Sequence, residues 1–259
     1  MPPHAHKSVF LLCLTSLSTI KALLSVRLPR EHHVWPTLIR MHTTGDKIYL
    51  ESIGMTSSSM QFIDIGANML DERFTDGKYR GTYHHEPDLD KIMERAVKVG
   101  ITRLILTAGT VQESREAVQK AREWNKLYPE IHFTCTVGVH PTRCQQVFEA
   151  KNADPDALLK ELLEIAQDGM KDKIVVAVGE LGLDYDRLKF CPKYVQRKYF
   201  LRQLQEVAKP TGLPLFLHNR AVGHDLFNIL SENRDLWTGG VVHSFTDSAE
   251  LGKEFIEKL

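Results

Sequence analysis

From Met60 onward the chain repeats one pattern, and that pattern leaves it few folds. Apolar runs of strand length fall at Phe62-Ile63, Leu104-Ile105-Leu106, Phe133 to Val139, Ile174 to Val178, Leu213 to Leu217 and Val241-Val242, alternating with amphipathic helical segments. Six strand-helix units can be counted. Runs that are apolar on both faces need cover on both sides, which a parallel α/β sheet supplies. The helix punctuation agrees. Leu89, Ile92, Met93, Ala96 and Val97 recur at helical spacing before Gly100, and Thr110 with Glu113 forms a capping box on a segment stopped by Pro129. Asp154-Pro155 opens a further helix with Leu158, Leu159, Leu162 and Leu163 on one face and Gly169 at its end.

Polar residues separate the two parallel-sheet architectures. A doubly wound sheet calls for a glycine-rich phosphate loop after its first strand, and neither GxGxxG nor GxxxxGK occurs. Instead the runs end in chemical residues: Asp64 and Asn68 on the first, His140 on the third, Glu180 on the fourth, His218 on the fifth and His243 on the sixth. Side chains converging from many strand ends are the habit of a TIM-type (β/α)₈ barrel. The expectation is that fold, with about six of its eight units present. A carboxylate with neutral imidazoles suits a divalent ion such as Zn, Mn, Co or, with fewer nitrogens, Mg. Gly179 and Gly182 flank Glu180, where they allow close backbone approach and a sharp turn.

Composition limits the partners. With 42% apolar and 25% charged residues the chain is ordinary globular material, and its 33 basic and 33 acidic residues cancel. No global field attracts nucleic acid or a membrane, so any polyanion site must be local. Cys13, Cys135, Cys144 and Cys191 are scattered without a CxxC pair, which suits reduced thiols inside a cell. Residues 1–30 carry Lys7, Lys21, Arg27 and Arg30 but no acid, and their apolar run is too short and interrupted to span a bilayer. They suit a mitochondrial transit peptide better than a secretory signal, with a leader that is not cleaved as the equal alternative. Residues 31–59 read as an irregular link, so residues 1–59 are expected to add no strand to the sheet and residues 60–259 to form the folded domain.

"FIDIGAN" (62–68), "GVHP" (138–141), "GELGLD" (179–184), "HNR" (218–220) and "VVHSF" (241–245) resemble, in order and spacing, the TatD family of metal-dependent deoxyribonucleases. "HPTRC" and "LDYDRLKFCPK" look most like its eukaryotic branch. The resemblance implies an amidohydrolase-type barrel that hydrolyses DNA phosphodiesters with one or two divalent ions, Mg, Mn or Zn. It implies that Glu180, His218 and His243 are metal ligands and that His140 sits beside them near the scissile phosphate. With those roles, Glu180 and His140 are the catalytic candidates, and His140 and Arg220 the substrate-binding ones. Arg220, two residues after His218, could bind a phosphate oxygen; a surface salt bridge is the plain alternative. Asp184 is expected to orient a ligand histidine, with loop capping as its alternative. Asp64 and Asn68 are candidates for a weaker site or for support of the ligands. The run Lys189, Lys193, Arg197, Lys198 and Arg202 fits a solvated helix face better than a DNA track.

The chain departs from the family pattern twice. Asp64-Ile65-Gly66 stands where many members have Asp-x-His, leaving a second ion one nitrogen short. The chain also stops at Leu259 after its sixth helix, where members continue through two more strands and a further Asp ligand. The expected consequence is an open barrel with two exposed edges that could self-associate. Two other functions compete: an inactive shortened form, and a metal-dependent hydrolase of small molecules, for which no strand-end lysine is present. The nucleus or cytoplasm is the favoured compartment, the leader admits the mitochondrion, and no membrane association is expected.

Overall fold

The computed structural model describes residues 61–259 and, before them, three strands at Phe10–Leu14, Arg40–Thr44 and Lys47–Glu51. Six strands lie side by side in chain order: β1 (Phe62–Ala67), β2 (Ile101–Leu106), β3 (His132–Val137), β4 (Val175–Asp184), β5 (Leu215–Arg220) and β6 (Gly240–Phe245). Every neighbouring pair is parallel. The return segments are α1 (Leu89–Lys98), α2 (Val111–Leu127), α3 (Pro155–Lys171), α4 (Lys193–Gln203), α5 (Asp225–Glu232) and α6 (Ala249–Lys258). The expected six strand-helix units are therefore all present, in the topology that parallel pairing demands.

The sheet curls as a barrel does. A Cβ placed on Gly66 of β1 would lie 3.5 Å from the Phe216 ring of β5, although β2, β3 and β4 stand between the two strands. Phe133, Val137, Leu159, Leu162, Val178, Phe200, Leu217 and Phe245 are fully buried between strands and helices, each contributing roughly 1.5–3 kcal/mol of transfer free energy. Local signals do what their chemistry suggests. Thr110 Oγ1 accepts from the Glu113 amide at 3.0 Å, while the Glu113 carboxylate accepts from Gly109, one residue earlier than a reciprocal box requires. Asp154 caps α3 by accepting from the amides of Asp156 and Ala157. Gly169 does not end α3; it lies inside it, where a Cβ would come 2.3 Å from Val175 Cγ2.

The amino-terminal segment departs from expectation. Phe10–Leu14 pairs in parallel with β6 and makes a seventh strand of the sheet. Arg40–Thr44 and Lys47–Glu51 pair with each other as an antiparallel hairpin rather than an irregular link. The physical reason for the first is the unpaired edge of β6, whose N–H and C=O groups favour any extended apolar segment that can reach them. One of the two expected open edges is thereby paired. The other, β1, has β2 as its single partner among the described residues. The transit-peptide features Lys7, Lys21, Arg27 and Arg30 lie outside the described residues.

Candidate metal centre

The centre is built on an irregularity in β4. Phe216 pairs with Gly179 and Leu217 with Leu181, so Glu180 is an extra residue in the ladder, a β-bulge. The strand does not end at Glu180, as its sequence suggests, but continues to Asp184. The flanking glycines permit this. Gly179 and Gly182 have φ of 156° and 135°, and a Cβ would lie 2.3 Å from the Phe216 carbonyl oxygen at the first and 2.2 Å from the His218 carbonyl oxygen at the second. Gly138 on the other side would bring a Cβ within 2.8 Å of Gly179. Three glycines thus let β4 press against both neighbours and turn the Glu180 carboxylate inward.

Imidazoles meet that carboxylate. His218 and His243 are direct register partners on β5 and β6, so their side chains share one face of the sheet. His218 Nδ1 lies 2.7 Å and His243 Nε2 2.6 Å from Glu180 Oε1. His140 follows β3, where its backbone donates to Gly109, and its Nε2 stands 3.6 Å from the same oxygen. The four side chains are between 13% and 21% exposed. His140, Glu180 and His218 form a compact trio whose ligand atoms lie within 4.8 Å of one another; His243 stands outside the trio while touching its central oxygen. Of the expected set, His218 and His243 each touch Glu180, but His140 and not His243 completes the compact trio.

Electrostatics follow from burial. Burial lowers the His140 pKa to about 4, against the pull of Glu180. Its Nδ1 accepts from the Thr142 amide, which leaves the ring proton on Nε2, facing Glu180. For Glu180, burial pushes the carboxyl up, but the contacts with His218 and His243 outweigh it and hold the group well below the usual carboxylate range. Asp184, fully buried, is likewise held low despite burial, by its bond from His218 Nε2 at 3.0 Å. Burial also opposes charge on His218, yet Asp184 and Glu180 together raise its pKa.

His218 supplies the test of fit for a cation. Each of its ring nitrogens faces a carboxylate, and a neutral imidazole has one N–H. With that proton donated to Asp184, the Nδ1 lone pair points at an ionised Glu180 oxygen, a place that a second ring proton fills when the carboxylates raise the His218 pKa. A divalent ion would take the place of that proton, and the donor set of one carboxylate with imidazoles is one such ions accept.

The other candidates separate. Asp64 is exposed and bonds to the Gly66 amide at 2.9 Å; Asn68, also exposed, accepts from Thr107. Neither belongs to the compact trio. Arg220 is exposed at the end of β5, 3.8 Å from Asp186. In the basic run, Lys193 and Arg197 pair with Asp225, Lys198 with Glu149, and Arg202 with Asp156 and Glu206, the pattern of a solvated face. Three supporting residues escaped notice in the sequence. Gln203 braces the "GVHP" segment through both the N–H and C=O of Val139, Gln196 does the same for Asp184, and Phe216 stacks on the His243 ring at 4.7 Å. A glutamine in a helix with no clear apolar stripe carries no sign of being 0% or 1% exposed, as Gln196 and Gln203 are.

Among known proteins, the model of a family described as TatD related DNase matches residues 63–259. A "Deoxyribonuclease Tat-D" of Schizosaccharomyces pombe is 42% identical over 205 residues, covering 77% of this chain and 61% of the relative. A "3'-5' ssDNA/RNA exonuclease TatD" of Rahnella sp. is 32% identical over 187 residues, covering 72% of this chain and 60% of its own. A solved hydrolase of the TatD family from Entamoeba histolytica superposes with a TM-score of 0.63 at 32% identity, over 76% of this chain and 63% of that one. The chain therefore spans less than two thirds of the length of these relatives.

Proposed function

Because the chain belongs to the TatD-related DNase family, we propose that it hydrolyses phosphodiester bonds in DNA with a divalent cation, Mg, Mn or Zn, held by Glu180, His218 and His243. The observation that carries this is the inward Glu180 oxygen met by two imidazole nitrogens at 2.6 and 2.7 Å. When bound, the cation supplies a Lewis acid that activates water near neutral pH and offsets charge on the phosphate. Asp184 holds His218 by its Nε2–H and so fixes which nitrogen faces the ion. His140, kept neutral by burial, directs its Nε2–H into the centre, where it would donate to a phosphate oxygen or pass a proton. Arg220 has one loose contact with Asp186 and would be the candidate donor to a second phosphate oxygen. Asp64 and Asn68 would serve a second, weaker ion.

The names of the relatives support single-stranded DNA as the first substrate to try. Residues 60–259 would act as the hydrolase domain, with Phe10–Leu14 extending its sheet. No helix among the described residues is long and apolar enough to cross a membrane. Three buried free cysteines support a reducing compartment, nuclear or cytoplasmic. The test is release of label from an end-labelled single strand with Mn²⁺. Chelation should abolish it, and Glu180→Gln should lower the rate by about 100-fold or more. An unchanged rate in Glu180→Gln would overturn the assignment.

A further inference from the structure

The β4–α4 connection, residues 185–192, leaves the barrel mouth directly from Asp184 and is fastened to it. Asp184 spends one oxygen on His218 and gives the other to the Arg187 amide at 3.0 Å. Gln196 closes the loop at its base: its Oε1 accepts from the Asp184 amide, and its Nε2 donates to the carbonyls of Asp184 and Cys191. At the start of the loop the Tyr185 amide donates to the Arg220 carbonyl. A connection pinned at both ends by a buried side chain is a rigid shelf.

What the shelf presents is unusual for a solvated loop. On the loop Phe190 is 56% exposed and Leu188 42%, and in the first turn of α4 Tyr194 is 71% exposed, side chains that ordinarily seek burial. The cations beside them are the ones that the salt-bridge pattern leaves over. Lys193, Arg197, Lys198 and Arg202 are matched by close carboxylates, whereas Arg187 has only the far side of Asp184 at 3.9 Å, and Lys189 Nζ lies over the Phe190 ring at 4.9 Å. Exposed rings interleaved with loosely paired cations form a surface suited to single strands, since bases stack on the rings and phosphates take the charges. A duplex hides its base faces and cannot use the rings.

We propose that Phe190 and Tyr194, with Arg187 and Lys189, form a stacking platform that seats the bases of a single-stranded nucleic acid beside the phosphate entering the metal centre. This rests on the nuclease reading of that centre. The test measures binding apart from cleavage: fluorescence anisotropy of a labelled single-stranded 12-mer with the full chain, in chelator. Phe190→Leu and Tyr194→Leu should each weaken binding by about 5-fold or more, the lower end of what one lost stack costs. Phe190→Trp should retain wild-type affinity, because a ring is restored. Arg187→Gln should lower the salt dependence by about one phosphate contact. Equal affinity for a 12-base-pair duplex, or full binding by Phe190→Leu, would overturn the platform; the latter would mark an apolar site for a protein partner instead. Glu180→Gln separates the two claims. It should keep oligonucleotide affinity while losing cleavage; retained cleavage would sink the role of Glu180, absence of cleavage by the wild type with Mn²⁺ would sink the nuclease reading, and in either case the platform stands or falls on the binding data.

Discussion

Two carboxylates, each read from the sequence as closing an apolar run, ended in different environments. Glu180 sits on β4, in the middle of the sheet, with a neighbouring strand on each side and a side chain 14% exposed. Asp64 sits on β1, an edge strand, where it is exposed and satisfied by the amide two residues on. The difference is one of enclosure. Neighbouring strands on both sides bring His140 and His218 to Glu180, and their imidazoles replace the water that burial removed. An edge position supplies no such partners, so Asp64 keeps its solvent and makes a local turn. A carboxylate on a strand gains imidazole partners where the sheet encloses it on both sides.

The largest expected effect breaks the comparison at the backbone. Gly182→Ala forces a Cβ to 2.2 Å from the His218 carbonyl at positive φ and should destabilise by about 3 kcal/mol or more. Gly66→Ala on β1 meets the Phe216 ring at an ordinary 3.5 Å and should cost less than about 1 kcal/mol. Denaturant midpoints of the two variants measure the gap, and equal midpoints would remove close approach as the reason for the glycine.

Next in size is the effect on metal. Asp184→Asn should weaken the strong site by about 10- to 100-fold through loss of the His218 bond. Asp64→Asn should leave that site's affinity unchanged. Competition against a chromogenic chelator reads both, and a fall with Asp64→Asn would place β1 in the strong site after all.

The acid response of the metal-free protein is the subtler test. His140 has a folded pKa of about 4, below its unfolded value near 6.5, so its contribution is present above pH 6.5 and lost as pH falls toward 4. Glu180, also depressed, adds a loss that begins as pH falls through the unfolded carboxylate value near 4.3. His218 is raised and acts oppositely: its contribution is full below about pH 6.5 and lost as pH rises through its folded value. Stability in chelator should therefore peak near pH 6.5. One pKa unit is worth about 1.4 kcal/mol, and a kcal/mol moves the melting temperature by about 2–4 °C at this size. His140→Gln should flatten the limb between pH 6.5 and 4; an unflattened limb would show that His140 is not the buried base.

The barrel was legible because its strands are apolar on both faces and its helices carry clear caps such as Asp154 and Thr110. Glu180, His218 and His243 were legible because each ends or interrupts an apolar run, where a polar residue needs a reason. The bulge at Glu180 was not, since one extra residue in a ladder depends on what the neighbouring strand does. Gln196 and Gln203 were hidden for a related reason: only the packed loops above α4 and its continuation make their amides necessary. The pairing of Phe10–Leu14 with β6 depends on an edge that no local pattern announces.

The central claim is that Glu180 joins His218 and His243 around a divalent ion, and calorimetric titration of Mn²⁺ or Zn²⁺ into the chelator-stripped full chain tests it most directly. The account predicts one strong site in the wild type, weakened by about 100-fold or more in Glu180→Ala and by a comparable factor in His218→Ala. Wild-type affinity in Glu180→Ala would contradict it.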